Sequence, residues 1–351
     1  MRLRMKWVMA AASFALLVAG AFVVAFPRSS FPMEWSYQCP PNERIWRLEY
    51  TADGSTLIGL CETDGTQRLC AWNASDGTVR SLVTSVIEPK TFAVDPKGRW
   101  IAVSGSEGIV FWDLRANREL ERYEPTGLAV EIGISEDGEH MAVAVEPGTS
   151  AGYGAVRRLI LYHLMNDTSA DIEEITKPEM HIALSSDGSK IAMSSSLRGE
   201  TFSLLDRRTR SIRHVTPRAG YGTDIEFLKG DATILVNVGQ PRIWNLVDDS
   251  FANPFDPTAF ERMRTEHVAI DRNRKVVAAG GLKIVELTNR FYGQAVVFRI
   301  GESTPLGFVY EGDRIGLTPR QVLTSVAISP DGNHLATASS TGRVRSWTIN
   351  R

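Results

Sequence analysis

The stretch that decides the fold is SVAISPDGNHLATASSTGRVRSW, residues 325–347. Its apolar and polar residues alternate up to Asp331-Gly332, a pair that suits a tight turn because glycine adopts positive φ without steric cost. The alternation resumes at Leu335, is interrupted at Gly342, and ends on Trp347. The stretch therefore predicts three short antiparallel strands joined by two turns.

The same pattern recurs along the chain, so the architecture is a repeat. We measure the spacing from the residue that closes the third strand of one repeat to the residue that opens the second strand of the following repeat. This spacing is 29 residues for the first four intervals and then 33 and 37 residues. Seven such repeats predict an all-β chain, a seven-bladed β-propeller of four-stranded blades. The opening residues are Leu57, Ile101, Met141, Ile191, Ile234, Val277 and Leu335, and the closing residues are Trp72, Trp112, Tyr162, Leu205, Trp244, Phe298 and Trp347.

Two of the repeats resemble those of the WD-repeat propeller family. The resemblance is carried by Ile328–Gly332 with Trp347, and by Val94–Gly98 with Phe111–Asp113, which contains the chain's one Trp-Asp pair. It extends over about residues 44–351. It implies a propeller that acts by binding other proteins, although fold alone does not establish function.

The last repeat shows no fourth strand before Arg351, the final residue of the sequence. Residues 29–43 precede the first blade and contain a loosely alternating segment, Met33–Cys39. We expect this segment to supply the outer strand of blade 7 and so to close the ring.

The N-terminal segment, residues 1–28, predicts export of the propeller. Arg2, Arg4 and Lys6 precede an apolar run of twenty residues, Trp7–Phe26, which is long enough to span a bilayer as a helix. The basic flank predicts a single-pass anchor with its N-terminus in the cytoplasm. The alternative is a signal peptide cleaved near Ala19–Ala21, which would release a secreted or periplasmic protein.

Charge gives no reason to expect a nucleic-acid partner. The chain has a formal charge of −2, and residues 1–28 hold four basic residues and no acidic one. The exported part therefore carries −6, which gives no general attraction for nucleic acid or anionic lipid.

The three cysteines are Cys39, Cys61 and Cys70. Cys61 and Cys70 flank an Asp64-Gly65 turn, so they are diagonal neighbours if those two residues form the turn and direct neighbours if the loop has four. They are candidates for a disulfide in an oxidising compartment. The alternative is a pair of reduced core thiols.

No nucleophile elbow, zinc-binding His-Glu-x-x-His, Cys-x-x-Cys or phosphate-loop motif occurs in the sequence. This favours a protein that is not an enzyme and that uses no cofactor. It leaves an enzyme possible, because a propeller can assemble a site from residues on many blades.

Insertions predict where partners bind. Four segments are longer than the repeat pattern requires: residues 147–156, 257–266, 280–294 and 311–321. The second of these segments should begin with a short helix capped by Asp256. In a propeller these connections share one face, which we call the insertion face. Its aromatic and arginine residues are the candidate partner-binding set, because such residues dominate interaction hot spots: Tyr153, Arg290, Phe291, Tyr292 and Arg314.

A ring of polar residues predicts the lining of a central channel near that face. One residue from each innermost strand is polar, and its neighbour is apolar, as in a strand with one face in the core. Four of the seven, Glu131, His181, Asp224 and His267, are metal-ligand types. The ring consists of Arg47, Thr91, Glu131, His181, Asp224, His267 and Ser325.

Three functions are compatible with these features. The first is a non-enzymatic, membrane-tethered scaffold that binds proteins through the insertion face. The second is an exported metal-dependent hydrolase of the lactonase kind that uses a divalent metal at the ring, the rival interpretation being an ordinary water-filled channel. The third is a glycan or peptide receptor.

Overall fold

The computed structural model describes residues 28–80, 86–125, 127–146, 157–164, 168–175, 180–195, 202–216, 224–285, 290–311 and 322–349. The predicted anchor or signal segment lies outside these ranges. In the described part of the chain, no helix combines the length and the apolar character needed to cross a bilayer.

Seven four-stranded antiparallel sheets form the blades of a propeller, which confirms the predicted fold. Blades 1 to 6 each use four consecutive strands, from β2–β5 to β22–β25, and blade 7 uses β26–β28 together with β1. The strands are β1 Met33–Gln38, β2 Glu43–Tyr50, β3 Thr56–Thr63, β4 Thr66–Asn73, β5 Val79–Arg80, β6 Thr91–Val94, β7 Ile101–Gly105, β8 Gly108–Asp113, β9 Arg118–Tyr123, β10 Leu128–Ile134, β11 His140–Glu146, β12 Arg157–His163, β13 Thr168–Ile175, β14 Met180–Leu184, β15 Lys190–Ser195, β16 Phe202–Asp206, β17 Ser211–Val215, β18 Ile225–Phe227, β19 Thr233–Asn237, β20 Pro241–Asn245, β21 Phe251–Ala252, β22 Met263–Ile270, β23 Val276–Val285, β24 Arg290–Arg299, β25 Gly307–Glu311, β26 Leu323–Ile328, β27 His334–Ser339 and β28 Arg343–Thr348.

The residues that define the repeat form one buried row in every blade. Each opening residue pairs directly with the closing residue of its own blade, as Leu335 does with Trp347. All seven opening residues are fully buried, and all seven closing residues are buried as well. Each row packs in an apolar cluster with other buried residues of the preceding blade, as Leu335 and Trp347 do with Val276 and Ala278 of blade 6, so the repeat marks the contact between blades.

The turns between first and second strands are held by a short side-chain network. In blade 7 the Ser329 hydroxyl donates to Asp331 Oδ1 at 2.6 Å and accepts the His334 N–H at 2.9 Å, while Gly332 takes φ +71°. Blades 1, 3 and 4 repeat this network from Thr51, Ser135 and Ser185. These turns define the turn face, opposite the insertion face.

The predicted ring closure is confirmed. β1 pairs antiparallel with β28, from Met33 opposite Trp347 to Gln38 opposite Arg343. The Trp35 indole N–H also donates to the Ala74 carbonyl of blade 1 at 2.8 Å. The first described strand therefore joins the last blade to the first.

The predicted loop at residues 280–294 is wrong. Most of it belongs to a long hairpin in which β23 and β24 pair as far as Val285 and Arg290. The extra residues extend the two strands and pair with each other across the hairpin. The short helix after Asp256 is confirmed as a single 3-10 turn, Pro257–Phe260, with Asp256 Oδ1 accepting the Thr258 N–H at 2.9 Å.

A buried ion pair joins blades 6 and 7. Glu311, at the end of β25, is fully buried and pairs with Arg345 of β28. The Thr337 hydroxyl donates to Glu311 at 2.9 Å and accepts the Trp347 indole N–H at 3.1 Å. Burial raises the pKa of Glu311 to about 7, against the opposing effect of Arg345.

Replacing Arg345 by Met leaves the buried Glu311 carboxylate without its cation. We expect the free energy of unfolding to fall by about 3–5 kcal/mol. The carboxyl with a raised pKa contributes stability that is present at low pH and lost as the pH rises through about 7. The loss should therefore be larger at pH 8 than at pH 5, measured by urea unfolding.

The matched control is Arg299→Met, which breaks the exposed pair between Arg299 and Glu302 and should cost about 1 kcal/mol or less. Equal losses in the two variants would contradict the role assigned to the buried pair.

Candidate functional site

The innermost strands of the seven blades surround a central channel with a cavity of about 480 Å³. All seven residues of the predicted ring line this cavity, together with backbone and side chains from the turn face. The alternation of polar and apolar residues explains this arrangement, because the apolar neighbours Leu48, Ile132, Ile182 and Val268 are buried between blades.

In four blades a β-bulge lies directly before the ring residue. The register shifts between Ile45 and Arg47, and at the corresponding points before Glu131, His267 and Ser325. A bulge inserts one unpaired residue and re-aims its neighbours. The sequence carries no local signal for these bulges, so strand alternation alone did not predict them.

Arg47 makes the polar contacts on one side of the ring. Its Nη1 donates to Thr91 Oγ1 and to Glu131 Oε1, both at 3.1 Å, and its guanidinium lies 5.4 Å from the centre of the Phe92 ring. Burial lowers the pKa of Arg47, but the carboxylates of Glu131 and Glu49 outweigh this and raise it above its usual range. The cation is therefore permanent, and Glu131 is engaged as its counter-ion.

Asp224 makes the polar contacts on the other side of the ring. Its Oδ1 lies 3.4 Å from His181 Nδ1 and its Oδ2 lies 3.8 Å from His267 Nδ1. Oδ2 also accepts the Val268 N–H of the next blade at 2.9 Å. Burial lowers the pKa of His267 in spite of Asp224, so its imidazole is neutral at pH 7.

The four ring residues of metal-ligand type are therefore divided between two networks. Within the described residues, no three of their ligand atoms lie within 4.8 Å of one another. A divalent metal at Glu131, His181, Asp224 and His267 stays a prediction that would require Glu131 to leave Arg47.

Ser325 ties blade 7 to blade 1. Its hydroxyl oxygen accepts the Leu48 N–H at 2.9 Å across the boundary between the two blades. Hydrogen bonds from Arg47, Asp224 and Ser325 thus join several neighbouring blades around the channel.

Two further carboxylates, Glu49 and Glu226, line the channel on the turn-face side of the ring. The surrounding protein buries them and raises the pKa of each to about 7, although Glu226 keeps an exposed surface within the channel. The upward direction follows because the enclosing walls and the nearby Glu131 and Asp224 both disfavour another negative charge.

The predicted channel lining omitted this pair, but a signal for it exists in the sequence. Each carboxylate lies two residues after its ring residue, where the other five blades have alanine or glycine, namely Ala93, Gly133, Ala183, Ala269 and Ala327.

The structure describes only some of the predicted partner-binding residues. Tyr153 and Arg314 lie outside the described residues, and Arg290 and Phe291 are described only as the backbone at the start of β24. Tyr292 is buried, with its ring 5.7 Å from that of Tyr310. Its placement on an exposed loop is wrong, because the strand alternation turns its side chain into the protein.

An exposed tryptophan that is not among the predicted partner-binding residues lies at the channel. Trp46 is the extra residue of the bulge in β2, lines the cavity and has 44% of its surface exposed. Its indole N–H donates to Glu62 Oε2 at 2.8 Å, which fixes the orientation of the ring.

Cys61 and Cys70 are joined by a disulfide with their Cα atoms 6.2 Å apart. Asp64-Gly65 forms the turn, and Cys61 lies opposite Arg68 while Cys70 lies opposite Gly59. The cysteines are thus the diagonal neighbours expected for a two-residue turn. Cys39 is a free, buried thiol, and burial raises its pKa to about 12.

Comparison with known proteins places one repeat in a family. The model of the WD domain, G-beta repeat, matches residues 318–348, which include the stretch that decides the fold. Among curated proteins, no similar sequence is found.

Replacing both channel carboxylates, as Glu49→Gln with Glu226→Gln, should change how stability depends on pH. Groups with raised pKa contribute stability that is present near pH 4.5 and lost as the pH rises through about 7. We therefore expect the variant to gain stability relative to the wild type between pH 5 and pH 8. His267 is common to both proteins, so its own titration cancels in this difference.

Urea unfolding at several pH values measures the effect, and Glu121→Gln on the exposed outer strand β9 is the control. A difference between variant and wild type that is independent of pH would contradict the assignment.

Proposed function

The chain is a WD-repeat β-propeller, and from this premise we propose that it is a non-enzymatic scaffold that binds a protein partner through its insertion face. The N-terminal segment would tether the propeller to a membrane. The observation that carries the proposal is Trp46, a large exposed aromatic residue that a bulge displays at the channel mouth.

Trp46 has the properties of a binding hot spot. Tryptophan is enriched at such positions because it buries a large area at little conformational cost. Its hydrogen bond to Glu62 orders the ring before any partner arrives, which reduces the entropy lost on binding.

The sequence adds four residues to the same face. Tyr153, Arg290, Phe291 and Arg314 are of the aromatic and arginine types that recur at hot spots. The start of β24 at Arg290 is the end of the long blade 6 hairpin, which supports its assignment to the insertion face.

The state of the channel ring favours binding over catalysis. Arg47, Glu131, Asp224 and Ser325 make hydrogen bonds to neighbouring blades. Groups engaged in this way stabilise the ring, and their contacts would have to break before the same atoms could bind a substrate or a metal ion.

The tether is proposed from the apolar run Trp7–Phe26 and its basic flank. The N-terminus would lie in the cytoplasm and the propeller outside it. If the segment is cleaved, the propeller would be released as a secreted or periplasmic protein.

The scaffold proposal is tested by affinity capture with the full chain and identification of the bound proteins by mass spectrometry. Trp46→Ala, Arg290→Glu and Arg314→Glu should each weaken binding of the same partner, Trp46→Ala by about 30-fold or more for a hot spot. The matched control is Val247→Ala, since Val247 is 83% exposed but follows β20 on the turn face. Capture of the same partner by every variant would show that the proposed face is wrong.

The tether is tested separately by membrane fractionation. The full chain should stay with the membranes after carbonate extraction, and a chain lacking residues 1–28 should not reach them. A full chain found entirely in the soluble fraction without cleavage would contradict the anchor.

A further inference from the structure

A second cluster of potential ligand atoms lies away from the channel, where blade 1 meets the closing strand β1. It consists of Glu43, Cys61 and Cys70, all of them buried. One ligand atom from each lies within 4.8 Å of the other two, and Cys70 Sγ is 3.4 Å from Glu43 Oε1. We call this cluster the thiol site.

Three adjacent strands of blade 1 bring these residues together. Glu43 opens β2 opposite Thr63 of β3, Cys61 lies two residues before Thr63, and Cys70 follows on β4. Residues two apart on a strand share a face, and residues directly opposite each other do so as well. All three side chains therefore point to the same side of the sheet.

That side faces the closing strand of the ring. Cys61 and Cys70 belong to the apolar cluster that also contains Trp35 of β1, Cys39 directly after β1 and Val344 of β28. The thiol site is thus built into the junction between the first blade and the last.

The buried carboxylate is the part of the cluster that the disulfide does not explain. Glu43 has only 3% of its surface exposed and pairs with Arg68 Nη2 at 2.6 Å. A disulfide sulfur offers Glu43 no hydrogen to accept, whereas a thiol or a metal ion would interact with it favourably.

We propose that reduction of the Cys61–Cys70 disulfide creates a binding site for a thiophilic divalent cation of the Zn²⁺ class, with both sulfurs and the Glu43 carboxylate as ligands. A Zn²⁺ ion lies about 2.3 Å from sulfur and 2.0–2.2 Å from carboxylate oxygen, so the ligand atoms of a tetrahedral site are about 3.5–3.8 Å apart. Cys70 Sγ and Glu43 Oε1 are already 3.4 Å apart. The two sulfurs share a bond in the oxidised protein and must move apart after reduction to admit the ion.

The chemistry balances with a dithiol as the reductant. Two electrons and two protons from the dithiol convert the disulfide into two thiols, and the dithiol becomes a disulfide. Binding of the cation then displaces both thiol protons to solvent. The two thiolates and Glu43 carry three negative charges, which the cation and Arg68 neutralise.

Binding at this position would also act on ring closure. A cation that binds only the folded state stabilises it, and here it would strengthen the packing against β1. The junction would then be held by a disulfide in oxidising conditions and by a metal in reducing ones.

The test uses the full chain, oxidised or reduced with a phosphine, and Co²⁺ as a spectroscopic substitute for Zn²⁺. The reduced protein should bind one equivalent of Co²⁺ with a thiolate-to-metal charge-transfer band that Zn²⁺ abolishes, and the oxidised protein should show none. Cys61→Ser and Cys70→Ser should each lose the band, and Glu43→Gln should weaken Co²⁺ binding ten-fold or more.

Cys39→Ser is the matched control. Cys39 is buried in the same apolar cluster, but it is not one of the residues whose ligand atoms meet within 4.8 Å. It should keep the band.

The proposal is overturned if the reduced wild type shows no charge-transfer band, or if Cys39→Ser alone abolishes it. The comparison of oxidised with reduced wild type needs no substitution, so a variant that fails to fold leaves the test intact. Neither result depends on whether the insertion face binds a protein.

Discussion

The pairing of β1 with β28 is the constraint on which the rest of this molecule depends. Seven twisted sheets bury their faces only against one another, so an open ring would expose the apolar surfaces of its two end blades. The closing strand comes from the opposite end of the chain, more than 300 residues away in sequence. Glu34 anchors it through Ser346 and Thr348, and Trp35 reaches across to blade 1.

Closure also explains the polar channel. Ser325 of blade 7 accepts the Leu48 N–H of blade 1, a contact that exists only when the ring is complete. Arg47, in turn, bonds to side chains of blades 2 and 3. Arg47, Asp224 and Ser325 make hydrogen bonds to neighbouring blades around the channel, and Arg47 and Glu131 form an ion pair across it.

The same junction carries the disulfide. Cys61 and Cys70 lie under the closing strand, beside the buried thiol of Cys39 and the carboxylate of Glu43. Redox chemistry at this position would act on the boundary between blade 7 and blade 1, which the pairing of β1 with β28 closes. Elsewhere consecutive blades follow each other directly along the chain, so a comparable site would have less effect on the ring.

Turn chemistry and strand alternation are local properties of the chain. The sequence alone therefore determined the features of the fold that depend on them. The seven rows from Leu57–Trp72 to Leu335–Trp347 and the polar ring follow from strand alternation and regularly spaced turns. The closing strand follows from the fourth strand that the last repeat lacks. Residues 280–294 are predicted as a loop, but β23 and β24 continue to pair through most of them and Tyr292 is buried. The bulge that exposes Trp46 and the raised pKa of Glu49 and Glu226 were decided by the tertiary structure alone. They arise from packing between blades that are distant in sequence, and no local pattern of residues encodes that packing.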